Sequence, residues 1–192
     1  MSKEKTNINI LIEECQRGNQ MAENRIFKMY YPFVGGICRR YSRNKEEAKE
    51  MVNDCFFRLF RQLDKYDSAY DFKPWMRKLT VNCCLRYLQK HKKRLHFSEW
   101  NDETMESFYS DQSLPEASDL NYLNLLHGLP EASKTIINLY VIEGYKHHEI
   151  AELLNISVGT SKSNLHRAKK LLYDMLERAG RGKLKLKSNH GR

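Results

Sequence analysis

Apolar residues recur along this chain at steps of three and four, the period of one face of an α-helix. The clearest run is Asn44 to Leu63, where Ala48, Met51, Val52, Cys55, Phe56, Leu59, Phe60 and Leu63 share a stripe. Asn44 predicts the N-cap and Glu47, three residues on, its reciprocal partner. Glu46 and Glu47 suit the positive start of that helix, and Arg58 and Arg61 its negative end. Upstream, Ile8, Leu11, Ile12 and Cys15 predict a helix that stops at Gly18. Met21, Ile26, Phe27, Tyr30, Phe33, Val34 and Ile37 carry another to about Tyr41, and Pro32 inside it predicts a kink or a break. A fourth helix begins near Pro74, which suits a first turn, and runs through Trp75, Leu79, Cys83 and Leu88 into a basic cluster.

The same period returns near the other end. Asn121 to Leu126 predicts a short helix ended by Gly128 and Pro130, and Glu131 to Glu143 another, with Gly144 at the helix-ending position. Lys146 to Leu154, a tight Asn155-Ile156-Ser157 connection and a long helix from Val158 to about Arg178 follow, with Ser157 as the N-cap.

Charge divides the chain more clearly than any Pro/Gly linker. The 192 residues carry 33 Lys and Arg against 24 Asp and Glu, a formal net charge of +9. Arg86, Lys90, Lys92, Lys93 and Arg94 close the first block. From Leu95 to Leu120 there are seven acids and no Lys or Arg, which reads as a flexible acidic linker. Arg181 to Arg192 carries five cations and no acid, and reads as a basic disordered tail. The expected organisation is all-α: one helical domain over 1–94, the linker over 95–117, a helix-turn-helix domain over 118–180 and the tail over 181–192. Nine Gly and four Pro argue against a turn-rich β chain. No apolar run approaches the roughly 20 residues of a membrane span, and none near Met1 has the form of a signal peptide, so a cytoplasmic protein without membrane insertion is expected.

The segment from Gly144 to Thr160 fits a helix-turn-helix, and the second helix opens on Gly159, Thr160, Ser161, Lys162, Ser163 and Asn164. Small and polar residues there let a backbone approach a major groove, and His166, Arg167, Lys169 and Lys170 add phosphate-neutralising charge beside them. Between Tyr66 and Arg94 the aromatics Tyr66, Tyr70, Phe72, Trp75 and Tyr87 are mixed with Lys73, Arg77, Lys78, Arg86 and Lys90. Aromatic faces that stack on unpaired bases, with cations along the backbone, hold single-stranded nucleic acid. Taken singly, Phe72, Trp75 and Tyr87 read better as core side chains at helical spacing, and together with the basic cluster they favour the stacking reading.

These features together resemble the extracytoplasmic-function sigma factors of bacterial RNA polymerase, over about Ile10 to Leu176. Asn44-Lys45-Glu46-Glu47-Ala48-Lys49-Glu50-Met51-Val52-Asn53-Asp54-Cys55-Phe56-Phe57-Arg58-Leu59-Phe60 is similar to that family's polymerase-binding helix. Phe72-Lys73-Pro74-Trp75-Met76-Arg77-Lys78-Leu79-Thr80-Val81-Asn82 is similar to its promoter-melting and −10 segment. Leu129-Pro130-Glu131, Val141 to Tyr145 and Ile150 to Lys169 match its −35-binding domain.

The resemblance implies that Glu47, Glu50, Asn53, Asp54 and Arg58 dock on the polymerase core. It implies that Tyr70, Phe72, Trp75, Lys78, Asn82 and Arg86 separate the strands near −10 and hold a flipped base. Thr160, Lys162, Ser163, His166 and Arg167 would enter the −35 major groove of promoter DNA, and the linker would lie in the polymerase channel. An anti-sigma partner, often membrane-anchored, is common in that family. Lys134, Ser161 and Asn164 depart from residues the family often has, and the Lys73-Pro74 pair has no evident purpose.

No catalytic site, cofactor or metal is expected. GxxxxGK[ST] and GxSxG patterns are absent, and His148-Glu149 begins an HExxH motif that fails at Glu152. Cys15, Cys38, Cys55, Cys83 and Cys84 form no CxxC pair and read as small buried side chains or free thiols. The competing class is a helix-turn-helix regulator that binds operator DNA unaided, which would have no use for a docking helix followed by an aromatic, basic segment.

Overall fold

The computed structural model describes residues 3–90, 123 and 125–188, with side chains over 8–90, 123 and 125–178. The chain forms two compact units, Met1–Lys92 and Lys93–Arg192. Every regular element among the described residues is helical. The expected acidic linker, 95–117, lies outside the described residues, as does the basic run from His91 to Arg94.

The first unit is a four-helix arrangement: α1 (Lys3–Gln16), α2 (Gln20–Tyr41), α3 (Lys45–Phe60) and α4 (Phe72–Lys90). Gly18, at φ +82°, makes the turn after α1 in a conformation that costs other residues more. Asn19 then caps α2, its side chain accepting from the Met21 and Ala22 amides. Asn44 caps α3 by accepting from the Glu47 amide at 2.8 Å, and the Glu47 carboxylate accepts from the Arg43 amide at 3.0 Å. The reciprocal bond thus lands one residue upstream of the cap itself. Ile26, Val34, Ile37, Cys38, Met51, Val52, Cys55, Leu59, Met76, Val81, Cys84 and Leu88 fill the core, all nearly inaccessible to water.

The break expected at Pro32 does not occur, since α2 runs continuously from Gln20 to Tyr41. Pro32 and Lys28, whose carbonyl loses its amide partner, both lie on the exposed face, where water can satisfy that carbonyl. Beyond α3 a single 3₁₀ turn, Leu63–Lys65, returns the chain to α1, with Gln16 Nε2 donating to the Leu63 carbonyl at 3.1 Å.

In the second unit α5 (Glu131–Ile137) continues into a π-helical turn, Asn138–Ile142, where a regular helix to Glu143 was expected. Gly144, at φ +77°, closes it, and the Tyr145 amide reaches back to the Leu139 carbonyl at 2.9 Å. Of the short helix expected over 121–126, the described residues, Leu123, Leu125 and Leu126, are helical, and His127 extends them. Then come α6 (His147–Leu154) and α7 (Val158–Ser188). Leu126, Ile136, Ile137, Leu139, Ile150, Leu154, Leu165, Ala168 and Leu172 form this core. A buried ion pair sits within it: Lys134 Nζ meets Glu131 Oε1 at 2.7 Å, the side chains 2% and 9% exposed. The α7 backbone stays helical through 181–188, part of the segment expected to be a disordered tail; its Leu, Lys and Arg residues are strong helix formers.

Candidate nucleic-acid interface

In the first unit the aromatic residues sort by helical position. Phe72, at the start of α4, is buried and packs edge-on against Tyr66 and Tyr30, each with ring centroids 5.2 Å away. Trp75 leans on Tyr66 and Phe72 at 5.4 and 5.6 Å but remains half-exposed. Tyr66 also donates its hydroxyl to the Tyr70 carbonyl at 2.7 Å, which fixes the loop that displays Tyr70, 71% exposed. Phe72 is therefore the support of this cluster, and Trp75 and Tyr70 are its accessible faces.

Trp75, Lys78, Leu79, Asn82, Cys83 and Arg86 fall on one face of α4 and, with Arg58, Gln62 and Lys65 from the end of α3 and the 3₁₀ turn, line a groove of about 200 Å³. Four cations and an indole line it, together with two amide side chains and no carboxylate. Such a groove suits an anionic backbone with an unstacked base. Arg58, assigned from sequence to polymerase docking, faces this groove and is steadied by Asp54 Oδ2 at 2.7 Å. That carboxylate raises the guanidinium above its ordinary range.

Glu50, Asn53 and Phe57 are exposed along the outer side of α3, with Asp54 and Glu47 half-exposed beside them. Glu47 holds the helix cap, and Glu50 accepts from the Tyr87 hydroxyl at 2.8 Å. Phe57, 59% exposed with the Arg61 guanidinium 5.3 Å from its ring centre, was missed by the sequence reading. Its signal was available: Phe57 lies four residues after Asn53, off the apolar stripe that Phe56 occupies. Lys73 acquires a purpose too, its ammonium lying 5.1 Å from the centre of the Phe33 ring, with Arg77 at 5.5 Å.

In the second unit Asn155 adopts φ 53°, ψ 53° to end α6, and Ser157 starts α7 by accepting from the Thr160 amide at 2.9 Å. Thr160, Ser161 and Asn164 then point inward. Thr160, expected to reach into a groove, is 6% exposed and places its hydroxyl 2.8 Å from Ser157 Oγ. Asn164 donates to the Thr160 carbonyl at 2.8 Å. Ser161 lies 2.9 Å from His147 Nδ1, and the His147 ring stacks on Tyr140 at 4.5 Å. Burial first, then the charges of Lys162 and Lys169, lowers the His147 pKa below its ordinary value. The outward face keeps Val158, Gly159 and Lys162 exposed, with Ser163, His166, Arg167 and Lys169 half-exposed.

Two helices joined by a tight left-handed turn, the second with hydrogen-bonding and cationic groups on its open face, define a helix-turn-helix DNA-binding protein. Comparison with known proteins narrows the class. The Sigma-70 region 2 family matches residues 26–94, and the Sigma-70 region 4 family matches residues 119–172. The chain is 28% identical over 179 residues to the ECF RNA polymerase sigma-E factor of Haemophilus influenzae, covering 87% of this chain and 94% of that one. It is 27% identical over 174 residues to the protein of the same description from Escherichia coli, covering 85% and 91%. Among solved structures, the sigma factor RpoE of Bartonella quintana, in complex with the anti-sigma factor NepR, has a similar fold: TM-score 0.50, 18% identity, 80% of this chain and 96% of that chain. The chain belongs to the extracytoplasmic-function sigma factors and acts in transcription initiation.

Proposed function

We propose that the first unit docks on RNA polymerase core and opens promoter DNA near −10, while the second reads the −35 element. The observation that carries this reading is the groove between α3 and α4, where Arg58, Lys65, Lys78 and Arg86 surround Trp75 and Asn82. A melted strand tracks the cations, an unstacked base rests on Trp75 with Tyr70 alongside, and Asn82 hydrogen-bonds to its edge. Phe72 holds Trp75 from behind. Polymerase docks on Glu50, Asn53, Asp54 and Phe57, with Glu47 fixing the start of that helix. At −35, Lys162, Ser163, His166 and Arg167 meet bases and phosphates, and Thr160 secures the helix start.

The protein carries no catalytic residue in this reading. Its binding energy orients and opens DNA, and polymerase performs the phosphoryl transfer in the cytoplasm. The division into 1–94, 95–117, 118–180 and 181–192 gives docking and melting, an acidic connection lying in the polymerase channel, duplex reading, and a basic end. An anti-sigma partner covering the two DNA- and polymerase-binding faces belongs to the same reading; the Bartonella sigma factor of similar fold was solved in complex with an anti-sigma factor.

The test is co-purification of the full chain with core polymerase. Asn53→Ala combined with Phe57→Ala should weaken binding at least tenfold while the unfolding midpoint stays unchanged. Retained binding in that variant removes α3 as the docking face.

A further inference from the structure

All five cysteines are buried, and three of them converge although they come from three different helices: Cys38 on α2, Cys55 on α3 and Cys84 on α4. Their exposures are 0%, 2% and 0%. Cys38 Sγ lies 4.0 Å from Cys55 Sγ and 3.8 Å from Cys84 Sγ, and all three sulfurs fall within 4.8 Å of one another. A point equidistant from three sulfurs so separated lies about 2.2–2.5 Å from each, which is the length of a metal–thiolate bond (about 2.3 Å for Zn–S). The geometry points to a metal site nothing else in the chain assigns: Cys38, Cys55 and Cys84 form a three-sulfur cage for a soft, thiophilic metal ion in the core of the first unit.

The donor set selects the ion. Thiolates favour Cu(I), Zn(II) and their heavier, softer neighbours and discriminate against Mg(II) and Ca(II), which require oxygen. No fourth His, Cys, Asp or Glu joins the cluster among the described residues, so an ion content with three sulfurs fits better than one that demands a tetrahedron. Three thiolates around a divalent ion leave one negative charge, and Arg40 places a positive charge near enough to act on Cys38. Cys83, the residue before Cys84 on α4, lines the groove beside Trp75 and Asn82, so the cage lies one residue along α4 from the groove wall. Binding exchanges thiol protons for the ion, with no change in oxidation state: each S–H bond that breaks releases its proton to solvent as an S–metal bond forms.

The experiment titrates the full-length, anaerobically reduced protein with Cd(II), Zn(II) and Cu(I) in turn. One ion per chain should bind, with a thiolate-to-metal charge-transfer band, proton release, and an unfolding midpoint that rises with ion concentration. Cys38→Ala should abolish the band, and Cys15→Ala, which alters a cysteine on α1, should leave it intact. X-ray absorption on the wild-type complex should find three sulfurs at about 2.2–2.5 Å and needs no variant to fold. Absence of the band, an equal band in a folded Cys38→Ala protein, or nitrogen and oxygen scatterers in place of the three sulfurs would each overturn the site. The cysteines would then be ordinary small core residues.

Discussion

The α4 groove of the first unit and the open face of α7 in the second are built from opposite materials by the same rule. On α4, large aromatics divide between core and surface: Phe72 is buried and Trp75, three residues on, lies in the groove. On α7, polar residues divide in the same way, with the small Thr160, Ser161 and Asn164 inside and Lys162, Ser163, His166 and Arg167 outside. Residue type therefore misleads in both places, and the helical period decides. Inside the first unit the helices meet through apolar and sulfur contacts. Inside the second, the polar pair His147–Ser161 joins α6 to α7, and the Lys134–Glu131 ion pair is buried within α5. The second unit thus carries buried polar pairs beside its apolar core, and a lost partner there costs more than at the surface.

The ion pairs give the sharpest contrast. Lys134→Ala should destabilise the second unit by about 3–5 kcal/mol, because it removes one partner of a buried ion pair. Asp54→Ala, which breaks a half-exposed pair with Arg58, should cost about 1 kcal/mol or less. Urea unfolding of both variants checks the difference, and equal costs would erase the distinction between the units.

The next largest effect falls on the groove. Trp75→Ala should impair open-complex formation by about 1–3 kcal/mol, the range for loss of one stacking platform, while polymerase binding changes little. Permanganate footprinting beside a binding assay separates the two, and equal loss of both would make Trp75 a core residue like Phe72.

A smaller effect tests the polar junction in the second unit. The His147 pKa is lowered in the folded state, so as pH falls through the ordinary histidine range, near 6.5, the unfolded chain takes up a proton that the folded chain does not. Stability is present above that range and is lost below it. His147→Gln should flatten the thermal midpoint between neutral and mildly acid pH. The smallest effect is electrostatic: Arg167→Ala should reduce the salt slope of −35 duplex binding by about 0.9, the change expected for one phosphate contact.

Much of this was legible from spacing alone. The Asn44 cap, the stop at Gly18, the helix-turn-helix and the Ser157 cap are local, and each is dictated by residues within a few positions. What the sequence concealed depends on contacts between distant segments. Pro32 is tolerated because its face of α2 is solvated. The π-helical turn at 138–142 leaves no periodic trace, and Cys38, Cys55 and Cys84 converge only once three helices pack. The burial of Thr160 was not legible because a hydroxyl suits both a groove and a helix cap, and the exposure of Phe57 was hidden beside the buried Phe56.

Run-off transcription from a promoter library, with core polymerase alone and with core plus this chain, tests the central claim most directly. The account predicts start sites that appear only with the chain present, share −35 and −10 elements, and vanish with Trp75→Ala while the polymerase complex persists. Sequence-specific duplex binding without polymerase association or new start sites would contradict it.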